Sequence, residues 1–128
     1  MKYKLVIWLL LLAIVPMCLA YWLSPGYNKQ HEEVAAPLCF LLAFAFSFSK
    51  LSTRKVCIII FCGMMIAKII KISIDIQNDP TSHNLLPFEL AIYGVILSFF
   101  ILIGAGLGKL YLFIKMAIAK HKQNKLQQ

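Results

Sequence analysis

Two lysines, Lys68 and Lys71, stand inside an otherwise apolar run, and Asp75 follows four residues after the second. Spacings of three and four put all three on one helical face, which continues back through Phe61 and Met64. A lysine at the centre of a membrane span costs about 2.5–3.5 kcal/mol on insertion scales, so its presence asks for a reason. Three chemistries supply one: attraction of an anionic ligand, relay of protons, or pairing with an acid on a neighbouring helix. The plainer account is snorkelling, in which the alkyl stem runs outward and leaves the ammonium near the headgroups. Lys71 does this easily and Lys68 only with strain. Asp75 is a ready partner for Lys71, and Glu89 can approach from the next helix.

Beyond Asp75 the polar stretch continues through Asp79, His83, Asn84 and Glu89. Carboxylates and imidazole are ligands for zinc, manganese or iron, and His31, Glu32 and Glu33 offer more from another connection. No HxxxH or ExxH pair fixes two ligands on one helical face, so neither a metal nor any other cofactor is expected. Turn and capping chemistry accounts for His83 and Asn84, which can satisfy the free N–H groups opening the next helix. Glu89 then lies in the first turn, where the helix dipole favours a negative charge. Enzymatic chemistry finds little support. Asp79, Ser82 and His83 crowd one turn, whose neighbours rarely face one another as a triad needs. The glycines of Gly104-Ala105-Gly106-Leu107-Gly108 fall within an apolar run, not between a strand and a helix as in a phosphate-binding loop. The chain reads as a non-enzyme.

These residues hang on four apolar runs, at about residues 5–23, 34–49, 56–76 and 87–114 of the 128. The hydrophobic fraction of 61% exceeds the roughly 45–50% of a soluble domain, and the runs approach the ~20 residues that cross a bilayer. The expected fold is all-α, a single integral membrane four-helix bundle. A net charge of +8 raises the question of nucleic acid, and its distribution answers it. Lys2 and Lys4 precede the first run, Lys50, Arg54 and Lys55 lie between the second and third, and a basic tail over residues 115–128 follows the last. All five acids lie in or beside the other two connections. This is the positive-inside pattern, with both termini cytoplasmic, and it makes anionic lipid the partner of the basic ends. Nucleic acid is not expected. Cys18, Cys39, Cys57 and Cys62 form no CxxC pair and read as small hydrophobes, with a Cys18–Cys39 disulfide left open.

Details along the chain sharpen the expectation. Pro16 predicts a kink in the first helix, and Tyr21 with Trp22 predicts an interfacial aromatic belt. The first run also fits a signal peptide cleaved near Cys18-Leu19-Ala20, although its length favours a retained span. Pro37 suits the first turn of the second helix, and that run is marginal in length, so it either begins within the preceding acidic residues or distorts the bilayer locally. The short basic connection at residues 50–55 predicts that the second and third helices pair antiparallel. Asp79-Pro80 ends the third helix. Pro87 opens the fourth, with Leu86 held extended before it, and the tail from His121 reads as frayed.

The fourth run carries small residues at near-helical spacing, Ala91, Gly94, Ser98, Gly104, Ala105 and Gly108, including a GxxxG. Such a stripe lets helices approach closely in lipid, whether inside the bundle, against a second copy or against another protein. Residues 75–89, with DPTSHNLLPFE at their centre, resemble a stretch of a family of small uncharacterised bacterial inner-membrane proteins. That resemblance implies residence in the inner membrane and brings no activity with it. The expected function is a non-enzymatic membrane module that binds another membrane protein, as an accessory subunit or an immunity-type protein does. The alternative is an oligomeric transporter or channel for protons or small anions, lined by Lys68, Lys71, Asp75 and Glu89.

Overall fold

The computed structural model describes residues 2–23, 30–81 and 85–126, with side chains for 3–23, 33–81 and 85–123. Among these residues all regular structure is helical: α1 (Lys2–Leu23), α2 (Gln30–Phe46), α3 (Thr53–Asn78) and α4 (Leu86–Leu126). Helices α1, α3 and α4 are long and apolar enough to cross a membrane, the mark of a membrane protein. The second helix is not. Its 17 residues extend about 25 Å, against ~30 Å of bilayer hydrocarbon.

Several boundaries depart from the sequence expectation, each for a local reason. Helix α2 starts among the acidic residues, one of the two outcomes its marginal length allowed, but Pro37 is then interior to it rather than in its first turn and withholds the hydrogen bond that Glu33 C=O would accept. It ends at Phe46, where the turn tightens: the Ser47 hydroxyl donates to Ala43 O at 2.6 Å and that of Ser49 to Phe46 O at 2.7 Å. Helix α3 opens on Arg54 and Lys55, with no acid in its first turn. The dipole disfavours that arrangement, so these charges do not serve helix stability. Leu86 is already helical. The Leu85 carbonyl accepts from both Phe88 and Glu89 N–H at 3.0 Å, which makes Leu85 the capping residue and moves Pro87 to the second helical position. The tail is helical as far as Leu126, longer than expected. Tyr21 turns inward and is buried, so of the two aromatic residues only Trp22 is exposed.

The helices do not pair in chain order. Helix α2 packs most extensively on α4, and α1 on α3, whereas the contact between α2 and α3 is the least extensive. The short loop over residues 47–52 brings those two together without making them principal partners. Glycines decide the matter. A Cβ on Gly104 would lie 2.5 Å from Phe40 O, and one on Gly108 would lie 2.5 Å from Ser47 Cβ. The backbones of α2 and α4 therefore approach as closely as only glycine allows. Gly63 does the same for α1 and α3, where a Cβ would stand 2.9 Å from Ala13 Cβ. Leu9, Met17, Ile60, Met64, Leu97 and Ile101 fill the space between the pairs.

Candidate functional site

The polar site is assembled where α3 and α4 meet. On α4, Glu89 and Tyr93 stand one turn apart on the same face. Between them lies Lys68 of α3, only 7% exposed. Its Nζ is 2.7 Å from Glu89 Oε1 and 5.2 Å from the centroid of the Tyr93 ring. The carboxylate and the π-face together replace the water that burial removes from the ammonium. Lys68 lies about 15 Å from the end of α3 at Asn78, and Glu89, near the start of α4, meets its charge there. One turn further along α3, Lys71 pairs with Asp75. The cluster thus holds two cations and two carboxylates, with a formal sum of zero.

Asp79 stands apart from it. Its backbone is extended, φ −144° and ψ 101°, as the residue before a proline requires, and its N–H donates to Asp75 O at 2.8 Å. Its Oδ1 accepts from the Thr81 hydroxyl at 2.7 Å and from Thr81 N–H at 3.0 Å. Those two bonds hold the exposed Asp79 carboxyl below its ordinary range, the hydroxyl contributing most. The turn is a side-chain-closed stop for α3 and is aimed at solvent. His83 and Asn84 lie outside the described residues, as do the side chains of His31 and Glu32. Among the described residues no three His, Cys, Asp or Glu side chains converge, and the four cysteines are free thiols.

Below the Lys68–Glu89 pair the two helices part. A groove of roughly 250 Å³ opens between them, lined by Cys57, Ile58 and Phe61 of α3 and Ser98, Ile101 and Leu102 of α4. The Ser98 hydroxyl donates back to Gly94 O at 2.8 Å, so the groove presents an apolar lining with that hydroxyl's proton already committed.

The small-residue stripe of α4 is divided between two neighbours. Gly104, Ala105 and Gly108 are buried, the two glycines against α2, and the Ser47 hydroxyl reaches Ala105 O at 3.4 Å. Gly94 faces Phe61, and a Cβ there would sit at an ordinary 3.6 Å. Ala91 is exposed. The GxxxG is consumed within the chain, and only the outer half of the stripe borders open surface. Sequence reasoning did not find Tyr93. Its signal was an aromatic residue four positions after Glu89 on a helix facing a buried lysine. No family model, curated protein or solved structure matches the chain.

Proposed function

We propose that the protein is a non-enzymatic inner-membrane module that docks another membrane protein's helix into the groove between α3 and α4. In this reading all four helices lie in the bilayer, with the short α2 sheltered against α4, and both ends of the chain are cytoplasmic. The exposed Lys50, Arg54 and Lys55 near the α2–α3 turn, together with Lys109 on α4, support that orientation. A bacterial source is part of the same proposal.

The observation that carries it is the groove itself, apolar, open at the side of the bundle and lined by Ser98 of the small-residue stripe. A partner side chain entering it would gain packing, which is what drives helix association in lipid. The transport alternative loses support from the pairing of the charges. Lys68 is matched by Glu89 across the α3–α4 contact and Lys71 by Asp75 within α3, so each cation already has a carboxylate, and the first pair ties the two helices together. The reading therefore expects reconstituted protein to pass neither protons nor small anions, in wild-type or Lys71→Ala form. Flux in wild-type proteoliposomes that Lys71→Ala abolishes would favour transport instead. The docking reading is tested by filling the groove with Ser98→Phe and asking whether a co-purifying membrane protein is lost.

A further inference from the structure

The cytoplasmic half of α4 carries a feature that docking does not use. From Leu86 to Gly108 the helix rises about 33 Å, already the thickness of the hydrocarbon. Gly108 is also level with the α2–α3 turn, since it packs on Ser47, and the Phe48 ring meets Tyr111 edge-on at 5.6 Å. Yet α4 runs on to Leu126, about 27 Å further. From Phe113 to Gln123 every residue is exposed.

That extension is not polar. Leu110, Phe113, Ile114, Ala117 and Ile118 recur at i, i+3, i+4, i+7 and i+8, the pattern of an apolar face, and Phe113 is 68% exposed; Leu112 and Met116 fall among the lysines on the other side. Lys109, Lys115, Lys120 and Lys122 fall outside that arc and are all exposed. After Glu89 the chain contains no acid. Such a face cannot stand in water without cost. A second copy laid along it would bring lysines against lysines.

We propose that the segment from Lys109 to Gln123 is an interfacial helix seated on the anionic surface of the cytoplasmic leaflet. Its apolar face enters the acyl boundary, and its lysines meet lipid phosphates. Both components of interfacial binding, apolar burial and attraction to anionic headgroups, are present in one segment. In the structure α4 is one helix to Leu126, so seating on the leaflet includes a bend beyond Tyr111, the last residue with a ring contact to the α2–α3 turn. The inference rests on the membrane-spanning reading above.

The test uses the full chain with its four cysteines replaced by alanine and single spin labels at Phe113→Cys, Lys115→Cys, Ile118→Cys and Lys122→Cys. Each variant is reconstituted into phosphatidylcholine vesicles with and without phosphatidylglycerol. A label at Leu102→Cys reports insertion independently. With anionic lipid, labels at 113 and 118 are expected to be accessible to oxygen, and those at 115 and 122 to a water-soluble nickel relaxant. Replacing Lys115 or Lys122 by Gln should shift the seated population toward water by about fivefold each, since a lysine near such a surface contributes about 1 kcal/mol. Uniform nickel accessibility with the Leu102 label in lipid would overturn this inference alone. Dipolar broadening between copies at 113 would overturn it in favour of self-association, and a pattern indifferent to phosphatidylglycerol would overturn the anionic surface as partner. A Leu102 label in water would overturn the membrane reading as well. If the cysteine-free chain fails to fold, hydrogen exchange of the native chain decides. Amides 110–118 should be better protected with phosphatidylglycerol than without, and equal protection would contradict the proposal.

Discussion

Lys68 of α3 and Glu89 of α4 form an inter-helical ion pair, Nζ to Oε1 at 2.7 Å, with side-chain exposures of 9% and 21%. The pair ties α3 to α4, and the groove begins about 10 Å along α3 from it, at Phe61. Removing one partner of a buried pair leaves the other charge stranded, whereas removing both can be nearly neutral. Lys68→Met should therefore destabilise the bundle by about 3 kcal/mol, the low end of the usual range because Glu89 keeps some contact with solvent. Lys68→Met with Glu89→Gln should return to within about 1 kcal/mol of wild type. Unfolding by dodecyl sulfate in mixed micelles, followed by far-UV circular dichroism, measures the cycle. Equal losses in the single and double variants would mean that the pair is not coupled.

Glycine substitutions should separate close approach from open surface. Gly104→Leu and Gly108→Leu push side chains into α2 backbone and Ser47, at an expected 1–3 kcal/mol or more. Gly94→Ala meets only ordinary contact with Phe61 and should be tolerated. A Cβ on Gly106 meets nothing within 4 Å, so Gly106→Ala should stabilise α4 by about 0.5–1 kcal/mol. Thermal melts of the four variants in one detergent give the ranking.

The turn after α3 has its own pH signature. The Thr81 hydroxyl and N–H hold the Asp79 carboxyl below its ordinary value. A depressed folded value means that the turn's hydrogen bonds are fully present above the ordinary carboxylate value of about 4 and are lost as pH falls through the lower, folded one. Thr81→Ala removes the larger cause and should return the Asp79 titration, followed by carboxyl carbon shifts, toward the ordinary value. An unchanged titration would place the cause elsewhere.

Much of this arrangement was legible in the residues. The all-α class and three long apolar helices follow from the hydrophobic runs, and the end of α3 follows from Asp79-Pro80, because each depends on neighbours in the chain. The Lys71–Asp75 pair is readable for the same reason, being four residues apart. The Lys68–Glu89–Tyr93 arrangement is not, since it depends on how two helices are rotated and slid against each other. The same is true of Tyr21, which the belt pattern set at the surface and helix rotation turned inward. Loop length predicted α2 against α3, but the glycines of α4 let α2 come closer there, and close packing outweighed chain adjacency. The marginal length of the second run pointed to a start among the preceding acidic residues, and that start is what moves Pro37 out of the first turn.

The docking account stands or falls on the groove. The measurement that tests it most directly is mild-detergent purification of the tagged protein from its own membrane, wild type beside Ser98→Phe, with mass spectrometry of the co-purifying chains and circular dichroism of both preparations. The account predicts a stoichiometric membrane protein with the wild type that is lost from the equally helical variant. A wild-type chain that emerges alone, or a partner that stays with Ser98→Phe, would contradict it.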